Sequence, residues 1–152
     1  AKAALAVWLA GRLVPDGSAA ALAASAAGLA AALGHNHSLY IGFRGGAGGT
    51  PNAGALLALW PAAFGPGVAL AALAWFGIRI ASVATLTISA WALGAMVYRV
   101  VALGAPRGYL VYGIGQAVLI VWALRPNIAR LARGEERRIT LSRDALAGRR
   151  PQ

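Results

Sequence analysis

Apolar residues run through this chain in long blocks, and the short polar breaks between them mark out its elements. Residues 80–97 (IASVATLTISAWALGAMV) and 108–124 (GYLVYGIGQAVLIVWAL) are uncharged and at least seventeen residues long, near the lower limit for a helix that crosses a bilayer. Both are predicted to span a membrane. Residues 18–34 (SAAALAASAAGLAAALG) have the length but are mostly alanine. Such a segment is expected to pack against other helices, because its small residues allow close backbone approach. Residues 67–78, beginning near Phe64, form a further segment, whereas 53–60 (AGALLALW) runs into Pro61 and is too short to cross unaided. The first segment, 3–14, is about half a span. It reads either as an interfacial helix or as the end of a longer one, and the second reading is preferred. The pattern as a whole predicts an all-α, polytopic integral membrane bundle of five to six segments, some of them short or re-entrant.

Composition supports that class. Apolar residues make up 59% and charged residues 12%, against roughly a quarter charged in ordinary soluble domains. Eight of the fourteen basic residues fall between Arg125 and Arg150. Arginine excess next to spans marks the cytoplasmic side, so the C-terminus is expected in the cytoplasm and the protein in a bacterial inner membrane. Counting back through the helices brings residues 35–52, the turn from Arg79 to Thr85 and the region around Asn127 to the same face. Arg99 and Arg107 then fall on the outer face, against the rule. The net charge of +10 is read as attraction to anionic membrane lipids, with no nucleic-acid partner. Cysteine is absent, which removes disulfides, thiol nucleophiles and thiolate metal sites. The organisation expected is a bundle over 1–124 with a cytoplasmic glycine-rich loop at 35–52, followed by a basic cytoplasmic tail over 125–152.

The loop HNHSLYIGFRGGAGGTPNAG (35–54) carries six glycines, an arginine and two histidines between apolar runs. Gly45, Gly46, Gly48 and Gly49 leave the backbone free to take positive φ and approach a ligand. Successive amides in such a loop form an anion-binding concavity, strengthened where a helix begins just after it. The helix candidate follows at 53–60, with Pro51 and Asn52 near its first turn, and Arg44 offers a bidentate contact to phosphate. The pattern is neither a P-loop nor a dinucleotide fingerprint. His35 and His37 lack carboxylates nearby, so no metal is expected. His35 is assigned a supporting role at a helix end.

The run LGHNHSLYIGFRGGAGGTPNAGALLALWP resembles the central motif of the bacterial acyl-phosphate–glycerol-3-phosphate acyltransferases through Gly34, His35, Phe43, Arg44, Gly45, Gly46, Gly48, Gly54 and Pro61. RIASVATL (79–86) is similar to that family's Arg-x-x-Ser-x-x-Ser turn, with Arg79, Ser82 and Thr85 in place. RPNIARLARGEERRI (125–139) resembles its closing segment through Asn127, Ile128, Arg130, Leu131, Gly134 and Glu136. The resemblance covers Lys2 to Ile139. It implies acyl transfer from acyl phosphate to the sn-1 hydroxyl of glycerol 3-phosphate, in phospholipid synthesis, without cofactor or covalent enzyme intermediate. It further implies phosphate binding by Arg44, Gly45, Gly46, Gly48, Arg79, Ser82, Thr85, Asn127 and Arg130, supported by His35 and Glu136. No single residue is assigned as catalytic.

Some positions depart from the family pattern. Ala47 stands where the family has lysine, Leu124 where it has histidine, and a glycine- and asparagine-rich motif of the family has no counterpart between Ala1 and Gln152. An alternative therefore stands beside the enzyme: a catalytically inactive membrane subunit that keeps the scaffold and packs against other membrane proteins. A transporter ranks below both, since no charge sits in mid-span.

Overall fold

The computed structural model describes residues 2–15, 17–36 and 48–138, and every regular element among them is helical. The order is α1 (Lys2–Leu13), α2 (Ser18–Asn36), α3 (Gly49–Leu59), α4 (Pro61–Ile78), α5 (Ala81–Val101) and α6 (Gly108–Ala132). α2, α4, α5 and α6 are long and apolar enough to cross a membrane. α1 and α3, with 12 and 11 residues, are half-length. At about 1.5 Å per residue they reach roughly 16–18 Å, against about 30 Å of hydrocarbon.

The half-helices pack on each other and on the spans. α1 lies against α2 and α3, α2 against α6, and α5 between α4 and α6. The alanine-rich α2 buries Ala21, Ala24, Ser25, Gly28 and Ala32 along one stripe. Its backbone approaches α6 so closely that a Cβ on Gly108 would sit 2.7 Å from the Leu22 nitrogen. Small residues thus let that stripe of α2 fit closely against the bundle by shape, because membrane helices gain little from apolarity alone. Outward faces carry Leu70, Leu73 and Phe76 on α4 and Val111, Val118 and Val121 on α6, the surface a bilayer would cover.

α3 is capped by Gly48, whose φ of 80° falls in the left-handed region open to glycine. It begins four residues before the segment expected at 53–60, so Pro51 and Asn52 lie within its first turn. Trp60 breaks the helix at φ −154° and ψ 89°, and Pro61 starts α4 at its first position, where a missing N–H costs nothing. Arg99 of α5 reaches back to the end of α3. Its Nη1 donates to the Leu59 carbonyl, and its guanidinium lies 3.9 Å from the Tyr109 ring centroid and 5.8 Å from that of Trp60. A cation at a helix C-terminus is favourable. Arg99, which breaks the arginine rule in sequence, is therefore held by packing at the carboxyl end of a short helix.

α6 runs on through Pro126 to Ala132, past the end of the span expected at 108–124. Proline cannot donate to the carbonyl four residues earlier, and that carbonyl, of Trp122, instead accepts a hydrogen bond from Arg125 Nη1 at 3.1 Å. The extension carries Asn127 and Arg130 beyond the apolar stretch while keeping them on the helix.

Candidate functional site

The turn between α4 and α5 places the first group of side chains. Arg79 caps α4 in the left-handed conformation at φ 59°, its N–H donating to the Trp75 carbonyl at 3.0 Å. The chain re-enters the helical region at Ala81, which puts Ser82 and Thr85 on the first turns of α5. Ser82 is buried. Its Oγ donates to Glu136 Oε1 at 3.2 Å. Asn127 Nδ2 donates to the same oxygen at 2.7 Å and Arg130 Nε to Oε2 at 2.8 Å.

One carboxylate thus gathers donors from α5 and from the end of α6. Glu136 follows Gly134, whose φ of 72° turns the chain back after α6. Its carboxyl group is held below the ordinary carboxylate range, first by the Asn127 amide and then by Arg130 and Ser82. Four residues named from the sequence therefore meet in one clasp. Thr85 joins them indirectly. Its hydroxyl returns to the Ala81 carbonyl at 3.1 Å, while a Cβ on Gly49 would lie 3.3 Å from Thr85 Oγ1. The amino end of α3 consequently lies against the amino end of α5.

The other side of α3 borders a half-open cavity of about 460 Å³, lined by Lys2, Ala3, Ala31, Gly34, His35, Thr50, Pro51 and Gly54. Two basic residues, Lys2 and His35, border it beside the free amides of a helix start, an arrangement suited to an anion. Asn36, next to His35 in α2, is buried, and its Oδ1 has no hydrogen-bond partner among the described residues. A Cβ on Gly48 would fall 2.9 Å from that oxygen. Glycine is favoured at position 48 by its φ, and a Cβ there would also force the Asn36 amide to shift.

His35 lines the cavity, Gly48 opens α3, and Arg79 is exposed at the head of the α5 turn. Arg44, Gly45 and Gly46 lie outside the described residues, as do His37 and Ala47. Leu124 is buried in α6, one turn before the residues of the clasp. No group of histidine, aspartate and glutamate suited to a metal occurs among the described residues.

Sequence reasoning passed over Lys2, Asn36, Thr50 and Pro51 as parts of the site. It also passed over an interior group in which Gln116 Oε1 accepts from Asn52 Nδ2 at 3.0 Å and from Ser89 Oγ at 2.9 Å. The signal for that group was present: Gln116 is the one amide side chain in the span at 108–124, and a polar residue in mid-span calls for a partner.

Comparison with known proteins turns these motifs into kinship. Residues 1–134 match the family model described as glycerol-3-phosphate acyltransferase. The chain belongs to this family. Glycerol-3-phosphate acyltransferases of Roseiflexus sp. and Halalkalibacterium halodurans are 39% identical over 118 residues and 35% identical over 141, covering 77% and 91% of this chain. The same alignments cover 58% and 66% of those proteins, so the chain spans roughly three-fifths of the length of these relatives. Crystal structures of PlsY, an integral membrane glycerol 3-phosphate acyltransferase, match in the lysophosphatidic acid form with TM-score 0.68 and 29% identity. That match covers 78% of this chain and 59% of PlsY. The glycerol 3-phosphate form matches with TM-score 0.67 and 27% identity, over 90% and 70%. With four helices among the described residues long and apolar enough to cross a bilayer, this member of the acyltransferase family is a multi-pass membrane protein.

Proposed function

We propose that the chain carries the phosphate-handling part of an acyltransferase that moves an acyl group from acyl phosphate to the sn-1 hydroxyl of glycerol 3-phosphate. The observation that carries this reading is the meeting of Ser82, Asn127 and Arg130 on Glu136, beside the amino end of α3. In the reaction the hydroxyl oxygen forms the new ester bond and the bond between acyl carbon and phosphate oxygen breaks. The phosphate leaves with that electron pair, and the hydroxyl proton ends on the released phosphate. No residue needs to become acylated. The protein's part is to hold two phosphates close together and to offer donors to the oxygen that gains charge.

On this reading the α3 amides from Gly48 to Thr50, with Gly45 and Gly46 before them, hold one phosphate, aided by Arg44, Lys2 and His35. Arg79, Thr85 and the Ser82–Asn127–Arg130 clasp serve the second. The clasp end faces the cytoplasm of a bacterial inner membrane, residues 1–124 form the bundle, and 125–152 form a basic tail along anionic lipid.

Purified protein given acyl phosphate and glycerol 3-phosphate tests the assignment. Formation of lysophosphatidic acid, lost in both Arg44→Ala and Asn127→Ala, supports it. Turnover unaffected by either change refutes the site. A second reading, an inactive membrane subunit, is favoured by Leu124: a buried leucine offers no proton acceptor where the family has histidine. Absence of turnover and of glycerol 3-phosphate binding would decide for the subunit.

A further inference from the structure

Four polar side chains sit deep in the bundle with scarcely any exposure: Asn52 and Gln116 at 1%, Ser89 at 3% and Tyr112 at 0%. In a bilayer such groups must be answered within the protein, and these are. Gln116 Nε2 donates to the Ser89 and Gly113 carbonyls at 3.0 Å each, while its Oε1 accepts from Ser89 Oγ and Asn52 Nδ2. The Tyr112 hydroxyl donates to the Asn52 backbone oxygen at 2.9 Å and also lies against Asn52 Oδ1.

The bonds are not spread evenly along the helices. They close on a single residue of α3, and Asn52 lies in the first turn of that helix, its own N–H donating to the Gly48 carbonyl at 3.1 Å. Both ends of its side chain and its carbonyl are taken by α6, and α5 is tied in through Ser89. The Tyr112 ring is itself wedged, since a Cβ on Gly28 would meet it at 3.2 Å. The first turn of α3 therefore has its position and rotation set by the two helices that carry Ser82 and Asn127.

We propose that Gln116 and Tyr112 are positioning residues. Through Asn52 they fix the first turn of α3, and with it the amides from Gly48 to Thr50, at the angle needed to receive a phosphate. This rests on the function proposed above. Neither residue lines the cavity, and both are buried, so their effect passes through Asn52. A register key between α5 and α6 would need only the bonds between Ser89 and Gln116. The further grip on Asn52 is what directs the group toward α3.

The test uses the whole chain in detergent, with Gln116→Leu and Tyr112→Phe as the variants. The Michaelis constants for glycerol 3-phosphate and for acyl phosphate are measured separately. That of the substrate whose phosphate the α3 amides hold is expected to rise about tenfold in Gln116→Leu, the equivalent of one well-aimed hydrogen bond to a charged group. The kcat is expected to change less than about threefold, because a phosphate contact made alike in the ground and transition states moves the Michaelis constant and not kcat. Amide exchange at Asn52 and Ala53 should quicken while the middles of α5 and α6 stay protected. The double variant Asn52→Leu/Gln116→Leu should raise that Michaelis constant no further than the single change. Unchanged Michaelis constants for both substrates in folded Gln116→Leu, or protection lost equally along α5 and α6, overturn the proposal in favour of a structural key. If wild type neither turns over nor binds glycerol 3-phosphate, the proposed function fails, and the exchange pattern alone then decides the positioning role either way.

Discussion

Replacing Arg79 with glycine is expected to raise stability and lower activity in the same variant. Arg79 is the non-glycine residue with positive φ among those described. That conformation costs an L-residue about 1–2 kcal/mol, while glycine adopts it freely. Glycine returns roughly 0.5–1 kcal/mol of this in backbone entropy lost on folding. The capping bond to Trp75 is made by the backbone and survives. The net gain is therefore up to about 1.5 kcal/mol. If the exposed guanidinium instead meets a substrate phosphate, its loss removes a hydrogen bond to a charged group, about 1.5–3 kcal/mol. That is a fall in kcat/KM of about 10- to 150-fold. Thermal unfolding in detergent and acyl transfer on the same monodisperse sample read both quantities. A variant that gains stability and keeps full activity would show that Arg79 binds nothing. One that loses both would show that the left-handed cap carries no strain. Arg79→Lys keeps the charge and the strain but lacks the planar fork, so it should recover only part of the activity and none of the stability.

Three further outcomes are expected. Gly67→Ala would place a Cβ 2.5 Å from Trp91 Cδ1 and push aside the indole that donates to the Ala63 carbonyl at 2.7 Å. The expected cost is about 1–3 kcal/mol, measured by thermal unfolding and partly relieved when Trp91→Phe is added. Arg99→Gln removes the cation from Tyr109 and Trp60 and from the end of α3, and should destabilise by about 1–3 kcal/mol, with Arg99→Lys falling between. The Glu136 clasp should be acid-sensitive. A carboxyl group held below its ordinary range stabilises the fold fully above its unfolded pKa and loses that contribution as pH falls through the lowered folded value. Glu136→Gln should remove this acid-side dependence from the unfolding profile, and an unchanged profile would show that another group titrates.

The spans were legible because their signal is cumulative. In 80–97 or 108–124 no single residue decides the reading, and a change of one residue would not alter it. The start of α3 was less legible: the helix was expected at 53–60, and it begins at Gly49 because Gly48 takes the positive φ that turns the chain into it. Arg99 was misleading by itself, since a charge rule counts arginines without knowing that Tyr109 and the Leu59 carbonyl wait for one. The span was expected to end at residue 124, and only the fold reveals α6 running on through Pro126, with Arg125 serving the carbonyl that proline leaves open. The clasp was anticipated as a set of residues on one face. Its centre was not, because nothing in the spacing of Ser82, Asn127 and Arg130 says that Glu136 will be what they share. Lys2 and Thr50 are brought to one cavity by the packing of α1 on α3, a contact across some fifty residues that no local pattern records.

The grip on Asn52 also bears on how the bundle is assembled. Its partners Tyr112 and Gln116 come 60 and 64 residues later in the chain, so α3 leaves the ribosome with its amide side chain unmatched. Short and carrying a group that lipid rejects, it has no stable seat until α6 has been inserted. The half-helix thus completes its seat only with α6, although α1, α2, α4 and α5, on which it packs, are all translated earlier than α6.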